Sequence, residues 1–562
     1  MPRKKSKKNS QYTGRFYSLV VLLGLLVRVL VWRLVNLTIV DRQFLQSQGD
    51  ARSIRVIDIP AYRGMIKDRN GEPLAVSSPV QSIWANPKDF DVHSPKLTQL
   101  AKLLERPVAD IVHQINKSQT KEFVYLKRGL EPDLALKIKA LNIPGVNLQK
   151  EFRRYYPEGE VVSHVLGVTN IDDQGQEGLE LYYNDWLRGV PGKKRVLKDR
   201  MGHVVQDISL IQAPSPGHDL TVSLDRRIQF LAYRELKDAV TRHKATSGSL
   251  VVLDIDTGEI LAMVNQPSYN PNNRVAITMS QYRNRAVTDM FEPGSVIKPF
   301  SIASALDTHQ FSSQTRIDTN PGWMMVAGKT VRDLHNYGDI TVSEVLQHSS
   351  NIGVTKMILA SPPQQLWSLL HRVGFGQSTG IGFPGEAPGS LSEHRVWSPF
   401  VLATLGFGYG VSVTTLQLAR SYAVFGHSGK IVPTTLLLGE KTGDAKEVLQ
   451  PQIAKEMLDM LTEVVENPKG TGGLARVSGY TVAGKTGTAR IAKQGGYEAK
   501  RHVGNFVGIA PTSKPRLVVA VVINDPQVGY YGGAVAAPVF SKVMAGALRI
   551  MNIPPDKAEA TG

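Results

Sequence analysis

The chain of 562 residues contains no cysteine, which excludes disulfide frameworks, thiol nucleophiles, iron–sulfur clusters and cysteine-based zinc sites together. Its 13 histidines include no H-E-x-x-H pair, so a metal centre has little support either. No G-x-G-x-x-G run opens a helix after a strand; Gly406-Phe407-Gly408-Tyr409-Gly410 is glycine-rich but lacks the third spacing of a dinucleotide fingerprint. No internal repeat or low-complexity tract stands out. What remains is an ordinary globular composition, 42% hydrophobic and 20% charged, long enough for two or three domains.

Acidic residues are missing from the first fifteen positions, where Arg3, Lys4, Lys5, Lys7, Lys8 and Arg15 supply six positive charges. The net charge of +17 would suit a nucleic-acid binder, yet this cluster has a simpler reading. It precedes Phe16 to Val35, about the twenty apolar residues that cross a bilayer, broken only by Arg28 and Arg33. Positive charge before the span predicts a cytoplasmic tail over 1–15 and a transmembrane helix over 16–36, with the rest of the chain outside. No A-x-A-like cleavage site follows and the apolar character runs on to Val40, which favours an uncleaved anchor over a signal peptide. Arg33 is expected to snorkel to the outer interface; Arg28 either snorkels or faces a partner helix.

The Pro214-Ser215-Pro216-Gly217 cluster reads as a linker, 214–225, between a first module over 37–213 and a second over 226–552, with a flexible tail over 553–562. The first module mixes short strands with helices such as Lys96 to Leu104, and Asn70-Gly71 is a hairpin signal. The second opens with a long helix, then strand, tight turn and strand over Ser249 to Val264, and closes with the apolar strand Leu517 to Ile523. Strands from both ends should pair around helices supplied by the middle.

Three short runs carry chemistry. Glu292-Pro293-Gly294-Ser295-Val296-Ile297-Lys298 leads into an apolar helix, so Ser295 and Lys298 share a helix face at its N-terminus. A serine hydroxyl needs a neighbouring base, and a lysine made neutral by burial or nearby positive charge can serve. In His348-Ser349-Ser350-Asn351, Ser349 could relay a proton and Asn351 could hold a substrate amide or orient Lys298; a plain helix cap is the structural alternative. On the strand-like run around Lys485-Thr486-Gly487-Thr488, a cation and two hydroxyls would suit a carboxylate. Each run has a second copy: Ser118 to Lys121 on a polar surface, Ser268-Tyr269-Asn270 in a proline-rich loop, and Lys441-Thr442-Gly443 before an acid. Gly479 to Thr486 also matches the phosphate-loop pattern, but its middle favours strand and Gly487 follows where a helix should start.

The ordered set Ser295–Lys298, Ser349–Asn351 and Lys485–Gly487 resembles the three signatures of penicillin-binding proteins and serine β-lactamases. Arg63 to Gly71, and Gly178-Leu179-Glu180 ahead of Tyr183-Asn184, resemble class B penicillin-binding proteins. Pro267 to Asn273, Arg283-Asn284-Arg285, Phe291 to Ser295 and Tyr530 to Val535 resemble the division-specific branch of that class.

The resemblance implies an α+β architecture: a transpeptidase domain with a five-stranded antiparallel sheet and flanking helices, on an elongated mixed α/β pedestal of the dimerisation type. It implies a peptidoglycan D,D-transpeptidase of the cell inner membrane, active in septal cell-wall synthesis. Its partners would be stem peptides ending in D-Ala-D-Ala, β-lactam antibiotics, an FtsW-type polymerase and other divisome membrane proteins, with no nucleic acid, cofactor or metal. Ser295 would be the nucleophile and Lys298 its base, with Ser349, Asn351 and Lys485 completing the catalytic set. Thr486, Gly487, Thr488, Tyr409 and Ser350 would line the substrate; the doubled Ser349-Ser350 leaves open which hydroxyl carries the proton. A D,D-carboxypeptidase or β-lactamase on the same scaffold is the alternative. The anchor, the pedestal and the lack of an E-x-x-L-N deacylating segment argue for the transferase.

Overall fold

The computed structural model describes residues 10–199, 204–275, 277–440, 443–493 and 496–557. The basic cluster over 1–9 therefore lies outside the described residues, as do Lys441, Thr442 and the last five positions.

The apolar run forms the helix Ser10–Val35, about 39 Å long at 1.5 Å per residue and so longer than a bilayer's hydrocarbon core. Its side chains from 13 to 35 are all exposed. A π turn, Asn36–Val40, joins it to the helix Arg42–Ser53.

The rest divides into two compact units. The first holds an antiparallel sheet of Ile54–Ile59, Gly192–Lys198 and Val204–Gln212. Three amphipathic helices, Leu97–Leu104, Val108–Lys117 and Pro132–Ala140, close on a small core around Ile83, Leu100, Ile111 and Leu126. The stretch expected as one pedestal over 37–213 is shared, because 62–78 and 153–188 pack with the second unit. Arg69 pairs with Glu259 (3.2 Å) and Glu158 with Arg226 (3.1 Å), and a buried ion cluster ties the two segments to each other. Glu180 accepts from Arg63 Nε through Oε2 and from Arg154 Nε through Oε1, each at 2.6 Å, with all three side chains at most 1% exposed. Arg63 also donates to the Glu180 carbonyl (2.7 Å) and to Asn184 Oδ1 (3.0 Å). The two sequence runs that carried the class B resemblance are thus joined across 117 residues.

In the second unit a five-stranded antiparallel sheet runs through the middle: β1 (Ser247–Asp254), β2 (Ile260–Gln266), β3 (Ala483–Lys493), β4 (Gly496–Ala510) and β5 (Leu517–Asn524), in the order β2-β1-β5-β4-β3. Both faces are covered, so β1, β2 and β5 read as near-continuous apolar runs, whereas β3 and β4 also carry polar residues. Leu250, Val252, Val519 and Val521 pack on one face with the helices α1 (Arg226–Arg242) and α6 (Ala537–Ile550). Val251, Leu253, Val518 and Ala520 meet α2 (Lys298–Leu306), α4 (Thr415–Gly426) and α5 (Pro451–Glu466) on the other. In chain order α3 (Asn351–Ala360) comes after α2, against which it packs. Its neighbour in the chain is the short helix Val342–Gln347.

The tail expected to be free from 553 is pinned through 557. Tyr480 Oη donates to the Ile553 carbonyl (2.6 Å), Asp556 Oδ1 accepts from Thr481 N (2.7 Å), and Lys557 pairs with Glu466 (2.7 Å). These partners sit at the entrance to β3, so the last described turn fastens the strand that carries Lys485.

Candidate active site

Ser295 lies in a 3₁₀ turn, Gly294–Ile297, that feeds directly into α2. In a 3₁₀ turn residues three apart eclipse, so Ser295 and Lys298 share a face although the turn is tighter than the α-helical start that the sequence suggests. All nine residues of α2 are buried. Phe300 is wedged among Phe375, Tyr422 and Phe425 with ring centroids 5.0–5.6 Å apart, and Tyr422 Oη donates to the Val296 carbonyl (2.7 Å). Ser295 itself is half-buried, and its hydroxyl has no hydrogen-bond partner among the described residues.

Lys298 is fully buried and its Nζ donates to both the carbonyl and the Oγ of Ser349, the latter at 3.1 Å. Burial pulls its pKa from 10.5 down to about 7, opposed by the carboxylate of Asp333. Ser349 adopts the left-handed conformation (φ +59°) after Val342–Gln347, and its carbonyl and hydroxyl both meet Lys298. Ser350, one residue on, is fully buried: its Oγ caps α3 by accepting from Gly353 N (2.9 Å) and donates to Asp333 Oδ2 (2.5 Å). The expectation that Ser350 lines the substrate is corrected accordingly, since its hydroxyl is spent on the helix cap. Asn351, half-buried, donates from Nδ2 to the Arg332 carbonyl (2.8 Å).

Asp333 was not singled out in the sequence. Its Oδ1 accepts from the backbone of Asn351 and Ile352 (3.1 Å to the latter), so one carboxylate holds the whole Ser350–Ile352 corner. It follows the strand Lys329–Arg332 and lies 17 residues from Ser350, with no local motif to mark it.

Lys485 is fully buried on β3, with Nζ donating to the Thr486 carbonyl (3.2 Å). Its pKa is lowered well below the ordinary value, first by burial and then by the charge of Lys298. Strand alternation puts buried Lys485 and Gly487 on one face, and the half-buried Thr486 and Thr488 on the other. Thr486 Oγ1 bonds Thr471 Oγ1 (3.2 Å), and Thr488 Oγ1 accepts from Gly532 N (3.0 Å), which draws the Tyr530-Tyr531-Gly532 segment to the strand.

Two glycines let the motifs touch. A Cβ on Gly487 would stand 2.1 Å from Asn505 Oδ1 and 2.8 Å from the Pro293 carbonyl; Gly294, at φ +61°, would place one 3.0 Å from the Thr488 carbonyl. Asn505 Nδ2 donates to the Pro293 carbonyl (3.2 Å), clamping the turn before Ser295 against β4. Asn505 was also missed, although a polar residue within an apolar strand was a visible signal. Tyr409 is half-buried and stands edge-on to Tyr497 at 5.3 Å. Tyr497 Oη and Gly410 N both reach Glu292 Oε1 (3.2 and 2.8 Å), so this aromatic pair borders the segment leading to Ser295.

Two of the duplicate motifs serve local structure, and the third, at Lys441-Thr442, lies outside the described residues. Ser118 and Lys121 close an exposed turn (Lys121 N to Ser118 O, 2.9 Å), and Ser268 Oγ donates to the Glu160 carbonyl (2.7 Å). Thr486 lies inside a strand, which removes the phosphate-loop alternative. No metal-ligating cluster occurs among the described residues.

The profile of the penicillin binding protein transpeptidase domain matches residues 248–545. The chain belongs to this family. The dimerisation domain of penicillin-binding proteins matches 58–222. Among penicillin-binding relatives, the probable peptidoglycan D,D-transpeptidase PbpC of Pseudomonas aeruginosa is 46% identical over 98% of each chain. The peptidoglycan D,D-transpeptidase FtsI of Escherichia coli K12 is 42% identical over 99% of this chain and 95% of its own. A crystal structure of a peptidoglycan synthetase from Bifidobacterium adolescentis superposes with a TM-score of 0.71 at 25% identity, covering 90% of this chain and 98% of that one. The transpeptidase domain of Burkholderia pseudomallei penicillin-binding protein 3 gives 0.55 at 39% identity over 60% of this chain and 98% of its own.

Proposed function

We propose that this penicillin-binding protein is a peptidoglycan D,D-transpeptidase working through an acyl-enzyme on Ser295. The observation that carries the reading is Lys298, buried, bonded to Ser349 and with a pKa near neutrality, on the same face as a serine hydroxyl that has no other partner. Neutral Lys298 takes the proton as Ser295 Oγ attacks the penultimate D-Ala carbonyl of a stem peptide. The backbone N–H groups of Ser295 and Thr488 receive the developing oxyanion. The proton passes through Ser349 to the departing amine and terminal D-Ala leaves; an amine of a second stem then attacks the ester, its proton going by way of Lys298 to Ser295 Oγ as the ester bond breaks and the new amide forms. Thr486 and Thr488 hold the donor carboxylate from their face of the strand, Lys485 supports the site from the buried face, and Asn351 holds the donor amide. A β-lactam mimics the donor and leaves a slow ester on Ser295.

Relatives named FtsI support work at the division septum. The apolar first helix supports a single-pass anchor in the inner membrane with the basic tail cytoplasmic and the second unit periplasmic. An FtsW-type polymerase and other divisome membrane proteins are the partners this placement favours.

Fluorescent penicillin tests the reading. The wild-type protein should take a stable covalent label that Ser295→Ala lacks. No label on wild type, or equal label on both, overturns the assignment, and rapid loss of the label would indicate a hydrolase.

A further inference from the structure

A cavity of about 300 Å³ opens between the sheet and the segment running into Ser295, lined by none of the residues assigned above to catalysis. It has hydroxyls, Ser249 Oγ and Thr415 Oγ1, buried and bonded to each other at 2.7 Å. Arg285 and Asp289 line it as an ion pair (2.8 Å), as do Arg501 and Asp525 (2.9 Å).

Asp525 is the unexplained member. It is 7% exposed, and Oδ2 takes both Arg501 Nε and Thr246 Oγ1, while Oδ1 is buried without any hydrogen-bond partner. Glu292, which also lines the cavity, has a second orphaned oxygen in Oε2. A buried carboxylate oxygen left unpaired is costly, and an ammonium group is the partner that offsets most of that cost. Arg501 meanwhile uses only Nε on Asp525, and its half-exposed guanidinium keeps both Nη nitrogens for a further acceptor. Acceptors of positive charge and donors to negative charge therefore stand side by side in a cavity of amino-acid size.

We propose that this cavity binds the ammonium and carboxylate of a small α-amino acid, the ammonium at Asp525 and the carboxylate at Arg501. The occupant is either a free amino acid or the zwitterionic end of a longer arm; both present the same two charges.

The test uses the full chain in detergent with Ser295 first blocked by benzylpenicillin, so that the cleft assigned to stem peptides is closed. Binding of D-alanine, L-alanine and Nε-acetyl-lysine is measured by calorimetry and saturation-transfer NMR, beside ethylamine and propionate, which carry one charge each. Saturable binding of the zwitterions, at least about tenfold tighter than either single-charge probe, supports the site. Asp525→Asn and Arg501→Gln should each weaken it at least about tenfold, and Ser412→Phe should fill the cavity without altering its charges. Melting temperatures report that each variant is folded; where Asp525→Asn is not, the half-exposed Arg501→Gln decides. Alanine binding without Nε-acetyl-lysine identifies a free amino acid, and the reverse identifies a longer arm. No saturable zwitterion binding, no preference over the single-charge probes, or undiminished binding by the folded variants overturns the proposal. Penicillin labelling of Ser295 is read in the same samples, so failure of the cavity and failure of the transpeptidase reading stay separate.

Discussion

If Lys298 is the base, acylation must follow its neutral fraction. An ordinary lysine with a pKa of 10.5 is about 0.03% neutral at pH 7, whereas one at about 7 is roughly half neutral, a gain of about 1,600-fold. The sign follows from the cause: burial disfavours the ammonium, the neutral amine predominates above the inflection, and the rate rises with pH. From pH 7 to pH 5 the neutral fraction drops to about 1%, so acylation should slow about 50-fold, and above pH 8 it should level off within about twofold of its pH 7 value. The assay is the second-order rate constant for fluorescent penicillin between pH 5 and 9. Lys298→Met should be slow throughout without an inflection. Asp333→Asn should move the inflection lower, because the carboxylate of Asp333 supports the charged form of Lys298. A flat wild-type profile, or an inflection above pH 9, would refute the reasoning.

The adjacent serines should separate cleanly. Ser350→Ala loses the cap of α3 and should cost about 1 kcal/mol in chemical denaturation, while Ser349→Ala should stay within about 0.5 kcal/mol of wild type yet acylate more slowly. Glu180→Ala strands two buried guanidinium groups and should cost about 3–5 kcal/mol in a urea titration. Gly487→Ala drives a methyl into Asn505 and the Pro293 carbonyl; about 1–3 kcal/mol of stability and most of the penicillin labelling should be lost, read by melting and by gel fluorescence.

Local relations were legible in the sequence. Ser295 and Lys298 share a face in either an α or a 3₁₀ turn, so the pairing survives the difference between them. Strand, turn and strand over Ser249 to Val264 were equally plain, since continuous apolar runs separated by a glycine turn admit few alternatives. The Ser349-Ser350 register was not, because it depends on one left-handed residue between two helices, and no side-chain pattern marks φ +59° at a serine. Asp333 was hidden for another reason, since it acts on a motif from a different segment by hydrogen bonds that only the folded chain creates; Asn505 stood out as a polar residue, but nothing local named the Pro293 carbonyl as its partner. The Arg63 and Glu180 runs were visible separately, but nothing in either announced the other as its partner. The tail was misjudged because Pro554-Pro555 looks frayed, whereas Asp556 finds the open backbone of Thr481.

Lys298 and Lys485 are both wholly buried, and the charge of Lys298 helps to lower the pKa of Lys485. Burial and the neighbouring charge both disfavour a second ammonium beside the first, so a proton held by Lys298 is opposed at Lys485. On the reading above, the proton that leaves Ser295 must depart with the leaving group before the next stem amine can surrender its own. Acylation and transfer then proceed in strict alternation, as traffic does on a one-lane bridge.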